Sequence, residues 1–228
     1  MAARAVLAAS WLGRVAYGEA LELQREAARA RAAGTSPDRL LLLEHDDVIT
    51  IGRASRDGHV LIAPEAAQRA GVAIVESDRG GDVTYHGPGQ LVGYPIIQLA
   101  LERRDLHRYV RDVEAALIAA LAEFGIAARA RAGLTGVWVG NEKIASIGVR
   151  VSRWVTSHGF ALNVATDLDR FRWIVPCGID GCRMTSVARA AAGSGAGALT
   201  AAEVAPVIAR AFAERFDLAL AWEALCPA

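Results

Sequence analysis

The chain has 228 residues, 53% of them hydrophobic, with 25 Lys+Arg set against 25 Asp+Glu. That length suits one large domain whose core removes roughly 70% of the unfolded surface from water. A net charge of zero leaves no whole-molecule field for nucleic acid or a membrane surface, and no apolar run reaches transmembrane length, so neither partner is expected.

Residues 4–11 predict a first strand. Arg4 followed by a short apolar run imitates a signal peptide, but the run passes straight into helical spacing, so it reads as a strand feeding a helix over 16–33. "RLLLLEHDDVITIGR" predicts an apolar strand, a tight acidic turn at Asp46–Asp47 and a second short strand. Pro64 and Gly71 bracket a short helix. "VAIVES" predicts a strand. "QLVGYPIIQL" predicts another, weakened by Gly93 and Pro95 and therefore expected at an edge or with a bulge. Asp105 caps the clearest helix, over 105–124, where Leu106, Tyr109, Val110, Val113, Leu117, Leu121 and Phe124 follow i, i+3, i+4 spacing. "GVWVGNEKIASIGVRV" predicts a hairpin about a Gly-Asn turn, and "SHGFALNV" a further strand. "AAAGSGAGA" reads as a flexible linker. "TAAE" at 200–203 predicts a capping box for a last helix over 200–215, with Pro206 expected to kink or delay it. Strands and helices mix without strict alternation, which predicts a single α+β domain over 1–228.

Three stretches carry chemistry. Lys143 is the only lysine in the chain. Mutational bias towards arginine can leave one lysine behind. The chemical alternative is that arginine stays protonated in proteins, whereas lysine can give up a proton and take it back. A site that moves protons can use Lys143, and the question becomes what its partner is. Cys177 stands between Pro176 and Gly178, in an irregular segment of the kind that often holds catalytic groups. Cys182 and Cys226 read as structural thiols. Three cysteines make an odd count without a disulfide framework, which predicts free thiols in a reducing cytoplasm. Cys182 is not part of a C-x-x-C pair, and the five histidines include no H-x-x-x-H pair, so no metal is expected. "DRGGDVTYHGPGQLVGYP" is a glycine-rich binding loop without the lysine of a phosphate-binding P-loop.

Taken together, "RGGDVTYHGPGQLVGYP", "EKIASIGVRVSRWVTSHGFALNV" and "DRFRWIVPCGI" resemble the lipoyl(octanoyl) transferases, also called lipoate–protein ligase B. "WLGRVAYGEALELQ" and "LLLEHDDVITIGR" extend the likeness, which covers roughly residues 8–190 with the motifs in order. The resemblance implies the catalytic-domain fold of biotin and lipoate protein ligases, a mixed β-sheet packed with helices. It implies transfer of an octanoyl group from acyl carrier protein to a lysine of apo lipoyl domains, those of 2-oxoacid dehydrogenase complexes and the glycine cleavage H protein. It implies an acyl thioester on Cys177 with Lys143 as acid/base partner, and no ATP or metal cofactor. Arg79, Gly80, Gly81, Asp82, Val83, Thr84, Tyr85 and His86 would line the acyl and pantetheine channel. Ser146, Ile147 and Gly148, and Gly159, Phe160 and Ala161, would form its other walls. His86 and His158 would either orient polar groups nearby or stand as hydrogen-bonded structural histidines.

The chemistry agrees with that assignment. A thiolate is the nucleophile, and a protonated lysine beside it favours that form. The sequence departs from the family in reading "HDDVIT" where "HPPVYT" is common, "NVATDL" for "NVNPDL" and "MTSV" for "VTSL". An ATP-dependent lipoate or biotin ligase is the rival on the same fold; such an enzyme has no need of Cys177, and little chain follows residue 215 for an accessory domain. A non-catalytic docking module is the rival of another class, and it has no need of either Cys177 or Lys143. Arg103, Arg104, Arg108 and Arg111 could dock an acidic carrier protein or simply form a solvated helix face. A monomer is the expectation.

Overall fold

Aliphatic runs bounded by Gly, Pro and Asp become strands, and the long Ala-rich periodic segments become helices. The computed structural model describes residues 4–192 and 199–223. Most of the expected glycine-rich linker, and all of Cys226, lie outside the described residues. The order is β1 (Val6–Arg14), α1 (Tyr17–Ala32), β2 (Asp38–Glu44), β3 (Val48–Ile51), α2 (Pro64–Arg69), β4 (Ala73–Glu76), β5 (Thr84–His86) and β6 (Gln90–Ile96). There follow α3 (Leu106–Glu123), β7 (Arg129–Arg131), β8 (Leu134–Val139), β9 (Glu142–Ser152), β10 (Val155–Asn163), β11 (Arg183–Met184), α4 (Val187–Ala190), α5 (Ala201–Phe216) and β12 (Ala219–Glu223).

The main sheet runs β12-β1-β2-β6-β10-β9-β8-β7, with β11 beside β9. β1 is parallel to both neighbours, β11 is parallel to β9, and the other pairs are antiparallel. A second sheet, β4-β3-β5, stands apart. This is the mixed, helix-packed α+β fold the sequence predicts. Alternation along the central strands sorts side chains to two faces. Leu40, Leu42, Leu91, Phe160 and Leu162 join α3 and α5 in one core, whereas Leu41, Leu43, Val92, Tyr94 and Ala161 pack towards α1. Among the described residues, no helix is long and apolar enough to cross a membrane.

Local signals resolve as follows. Asp105 caps α3, accepting from the amides of His107 and Arg108 at 2.8 and 3.1 Å. Leu106, expected in the buried stripe, is 45% exposed instead, because the first turn of α3 stands clear of the sheet. The Gly-Asn turn joins β8 to β9 as expected. Thr200 and Glu203 form the capping box of α5, and the helix runs through Pro206 without starting late; Pro206 lies on the solvent side, where the carbonyl it leaves unpaired can meet water.

After the acidic turn the expected second short strand, β3, leaves the main sheet and pairs with β4 and β5. One expectation is corrected. β6 is not an edge strand but a central one, between β2 and β10, with every residue buried. Both strand-weakening residues have local solutions there. Any side chain at Gly93 would overlap the ring of Phe160, so the glycine makes room for an aromatic from β10. The β6–β10 ladder stops at Gly93–Phe160, short of Pro95. Beyond it the Thr156 hydroxyl donates to Pro95 O at 2.7 Å and accepts from Ile97 N at 2.9 Å, so a side chain joins the two strands where the ladder has ended.

Candidate active site

The pairing of β11 with β9 builds the site. Arg183 and Met184 lie beside Glu142 and Lys143, which draws the preceding 176–182 loop against the lysine. Within that loop Pro176, Cys177 and Gly178 form a single 3₁₀ turn, and Cys177 adopts a left-handed conformation (φ 57°). Its amide donates to Val83 O at 3.0 Å, tying the turn to the glycine-rich loop. A non-glycine residue held at positive φ stores strain that the surroundings must hold in place, and here the result is a thiol aimed into the pocket.

Lys143 Nζ lies 3.0 Å from Cys177 Sγ. Lys143 is 1% exposed, and its ammonium also sits 5.4 Å above the centre of the Trp138 ring. Among the described residues no carboxylate lies within ion-pair distance of it. The Cys177 sulfur is thus the closest polar partner of the buried amine. Ser146 Oγ lies 3.7 Å from the same sulfur. Room for the lysine comes from Gly136 (φ 124°), where any side chain would overlap Lys143 Cε. Glu114 of α3, itself buried, fixes that glycine by accepting from its amide at 2.9 Å and pairs with Arg111 at 2.8 Å.

The pocket in front of the sulfur holds about 600 Å³ including its mouth. Its lining includes Arg79, Gly81, Asp82, Val83, Thr84 and His86, all of Ser146–Gly148, and all of His158–Ala161. Two residues expected there are not. Gly80 faces β9, donating to Val149 O at 3.0 Å. Tyr85 turns the other way, as alternation along β5 requires, and packs on Phe171 with its hydroxyl donating to Asp47 at 2.5 Å. The acidic turn that departs from the family thus has a task in this chain.

The structure also brings in residues that sequence reasoning missed: Tyr17, Val92, Tyr94 and Thr135 on the pocket wall, and His59, which bonds Asp82 at 2.7 Å. Tyr94 stands inside the glycine-rich motif, where nothing local gives it a role. For His59 and Tyr17, local sequence carries no signal, since their importance arises from long-range packing.

A buried polar network backs the glycine-rich loop. Arg79 donates to Thr50 Oγ1 at 3.1 and 2.9 Å and to Thr50 O at 2.7 Å. With its oxygen so occupied, Thr50 has its proton free for His86 Nε2 at 3.4 Å. His86 Nδ1 then donates to Gln90 Oε1 at 2.8 Å, and Gln90 donates to Asn163 at 3.0 Å. Asn163 reaches Thr185 O, and the Thr185 amide donates to Lys143 O at 2.9 Å, so the chain of bonds ends on the strand that carries the lysine. Burial lowers the pKa of His86 well below its usual range, and burial also lowers that of His45. Burial also pulls Arg79 down, opposed first by the nearby Cys177 sulfur. Burial raises the pKa of Cys182, the thiol five residues on. Thr84 Oγ1 is buried in the pocket and has no hydrogen-bond partner among the described residues.

Of the arginines considered for docking, Arg104 lies over Trp154, Arg108 donates to Glu102 O, and Arg111 pairs with Glu114. Three of the four are therefore engaged within the chain.

The lipoyl protein ligase A/B catalytic domain family matches residues 16–213. An octanoyltransferase of Solibacter usitatus is 56% identical over 168 residues, covering 74% of this chain and 76% of the relative. The chain belongs to the octanoyltransferase family. Solved structures place the fold of this family member more widely. A lipoate-protein ligase A bound with ATP superposes with a TM-score of 0.73 at 17% identity, covering 99% of this chain and 90% of that one. The biotin protein ligase of Aquifex aeolicus, in complex with biotin and ATP, gives a TM-score of 0.57 at 15% identity over 92% of this chain and 70% of that one.

Proposed function

We propose that this chain moves an octanoyl group from the phosphopantetheine thiol of acyl carrier protein to the ε-amine of a specific lysine on apo lipoyl domains. The acceptors are those of 2-oxoacid dehydrogenase complexes and the glycine cleavage H protein. The observation that carries this reading is the 3.0 Å contact between Lys143 Nζ and Cys177 Sγ at an apolar-walled pocket.

The cycle balances with these two side chains. The Cys177 thiolate adds to the donor thioester carbonyl, and the C–S bond to pantetheine breaks. Lys143 gives its proton to the departing pantetheine sulfur and becomes neutral. The acyl group now rests on Cys177. The acceptor amine attacks that thioester, its surplus proton passes to Lys143, and the Cys177 thiolate leaves. The product is an amide, and the resting ion pair is restored. Charge develops on the thioester oxygen in both halves. The unpartnered Thr84 hydroxyl is the side-chain donor available to it. The donor arrives already activated as a thioester, so the proposed cycle needs neither ATP nor metal.

The test is mass spectrometry of the protein and its peptides after mixing with octanoyl-acyl carrier protein in the absence of ATP. The expected result is an octanoyl adduct on the Cys177 peptide that an apo lipoyl domain chases off. Product without an adduct would replace the thioester route with direct transfer. Neither adduct nor product, with activity restored by ATP and free octanoate, would make this chain a ligase.

A further inference from the structure

Two pockets lie end to end along one face of β9. Ser146 and Gly148 line the first, which holds Cys177, and Arg150 and Ser152 line the second, a groove edged by Arg25, Arg29 and Arg153. His158 borders both. It lies opposite Val149, between the last pocket residue and the first groove residue of β9. We propose that His158, braced by Asp78, is the end wall of the acyl chamber and sets the length of acyl chain the enzyme accepts. The inference rests on the acyl-transfer reading above and deepens it.

The backbone makes the wall. His158 has φ 54° inside a strand, a left-handed residue that breaks the regular alternation. Regular alternation would send its ring to the Phe160 side. Instead the ring meets Tyr94 edge-on at 6.4 Å, on the side of the sheet that faces α1. Three contacts hold it there. Its Nε2 donates to Asp78 Oδ1 at 2.7 Å, its amide donates to Gln24 Oε1 at 2.8 Å, and Asp78 is itself paired with Arg150. His158 is buried to 3% exposure, with its ring packed between the two pockets.

The spacing fits an eight-carbon chain. Ser146, beside the Cys177 sulfur, is three residues from the level of His158, or about 10 Å at ~3.3 Å per strand residue. A fully extended chain advances about 1.2 Å per bond, so the seven C–C bonds of an octanoyl group reach about 8 Å. The eleven of a dodecanoyl group reach about 13 Å and overrun the wall.

Full-length wild-type enzyme, His158→Gly and His158→Asn are given octanoyl, decanoyl and dodecanoyl thioesters of pantetheine, with an apo lipoyl domain as acceptor. Glycine and asparagine both tolerate positive φ, so neither change strains the strand. The expected result is a dodecanoyl-to-octanoyl kcat/KM ratio about tenfold or more higher in His158→Gly, with a smaller rise in His158→Asn. An unchanged ratio in variants that melt like the wild type overturns the proposal. If a variant does not fold, the deciding measurement is the thermal shift of wild-type enzyme with free fatty acids of six to fourteen carbons. Stabilisation that peaks at eight to ten carbons supports the wall, and a steady rise to fourteen overturns it. Wild-type enzyme that transfers no acyl group at all overturns the acyl-transfer reading instead, so the two failures are distinct.

Discussion

The two faces of the main sheet use the same strands for different ends. Towards α3 and α5 the face is dry and aliphatic, and Phe160, Phe212 and Phe216 stack at 5.3 and 5.9 Å. Towards α1 and the second sheet, neighbouring positions on those strands present Gln90, Tyr94, Ser146, His158 and Asn163. Alternation with a period of two lets one strand serve both faces at once. Most of the packing that holds the sheet can therefore be separated from most of the chemistry, and substitutions on either face test that separation.

The largest effect is expected at Cys177. Cys177→Ala should lower octanoyl transfer by about 10⁴-fold or more, with a melting temperature close to wild type. A loss of folding in step with activity would break the separation. Lys143→Arg should keep part of its Cys177 acylation yet transfer the group about 10²- to 10⁴-fold more slowly, because a guanidinium cannot take the amine proton. Single-turnover kinetics distinguish the two half-reactions, and full transfer would remove the shuttle role. On the opposite face, Phe212→Ala should cost about 3–5 kcal/mol in denaturant unfolding and leave the rate of Cys177 acylation nearly unchanged while the protein is folded. Thr84→Val should lower kcat roughly ten- to a hundredfold with little change in KM, as the loss of a donor to developing charge requires. An effect on KM alone would make Thr84 a binding contact.

The smallest effect is a pH dependence of stability confined to the polar face. His45 and His86 are both lowered from an ordinary value of 6.5 by burial. Their second nitrogens accept hydrogen bonds from Tyr94 and Thr50, so protonation would set donor against donor. The unfolded chain binds these protons more readily than the folded one. Their contribution is thus complete above pH 6.5 and is lost as pH falls through 6.5 towards their folded values. The expected slope is up to about 1.4 kcal/mol per pH unit for each group, read as a fall in unfolding free energy between pH 7 and pH 5. Substituting His45 by Gln should flatten that slope; a slope unchanged by the substitution would assign it elsewhere.

Much of the molecule is legible in the sequence because its signals are local. The cap at Asp105, the Gly-Asn hairpin and the Thr200–Glu203 box each depend on residues within a few positions of one another. The motif residues Cys177 and Lys143 are readable from their flanking sequence, and the structure brings them into contact. What escapes such reading is tertiary. Gly93 and Pro95 argue for an edge by local rules, but a ring from Phe160 and a hydroxyl from Thr156 make a centre of it. Tyr85 shares a motif with the channel residues, yet one residue of register on β5 sends it to Asp47. Glu114 and Gly136, which make room for the lysine, lie 22 residues apart on different elements, and nothing in either neighbourhood marks them.

The one lysine of this chain is also its most secluded cation. Transfer as proposed above ends on an amine and keeps a reactive acyl group close by at every turnover, so any lysine on the protein's own surface would compete with the acceptor. Here the surface carries guanidinium groups, which stay protonated and do not attack thioesters, and the only ε-amine lies buried 3.0 Å from Cys177 Sγ. The protein thereby offers no lysine on its surface for stray modification. The same feature makes an amine-selective label on lysine a reporter of one event, the opening of this pocket.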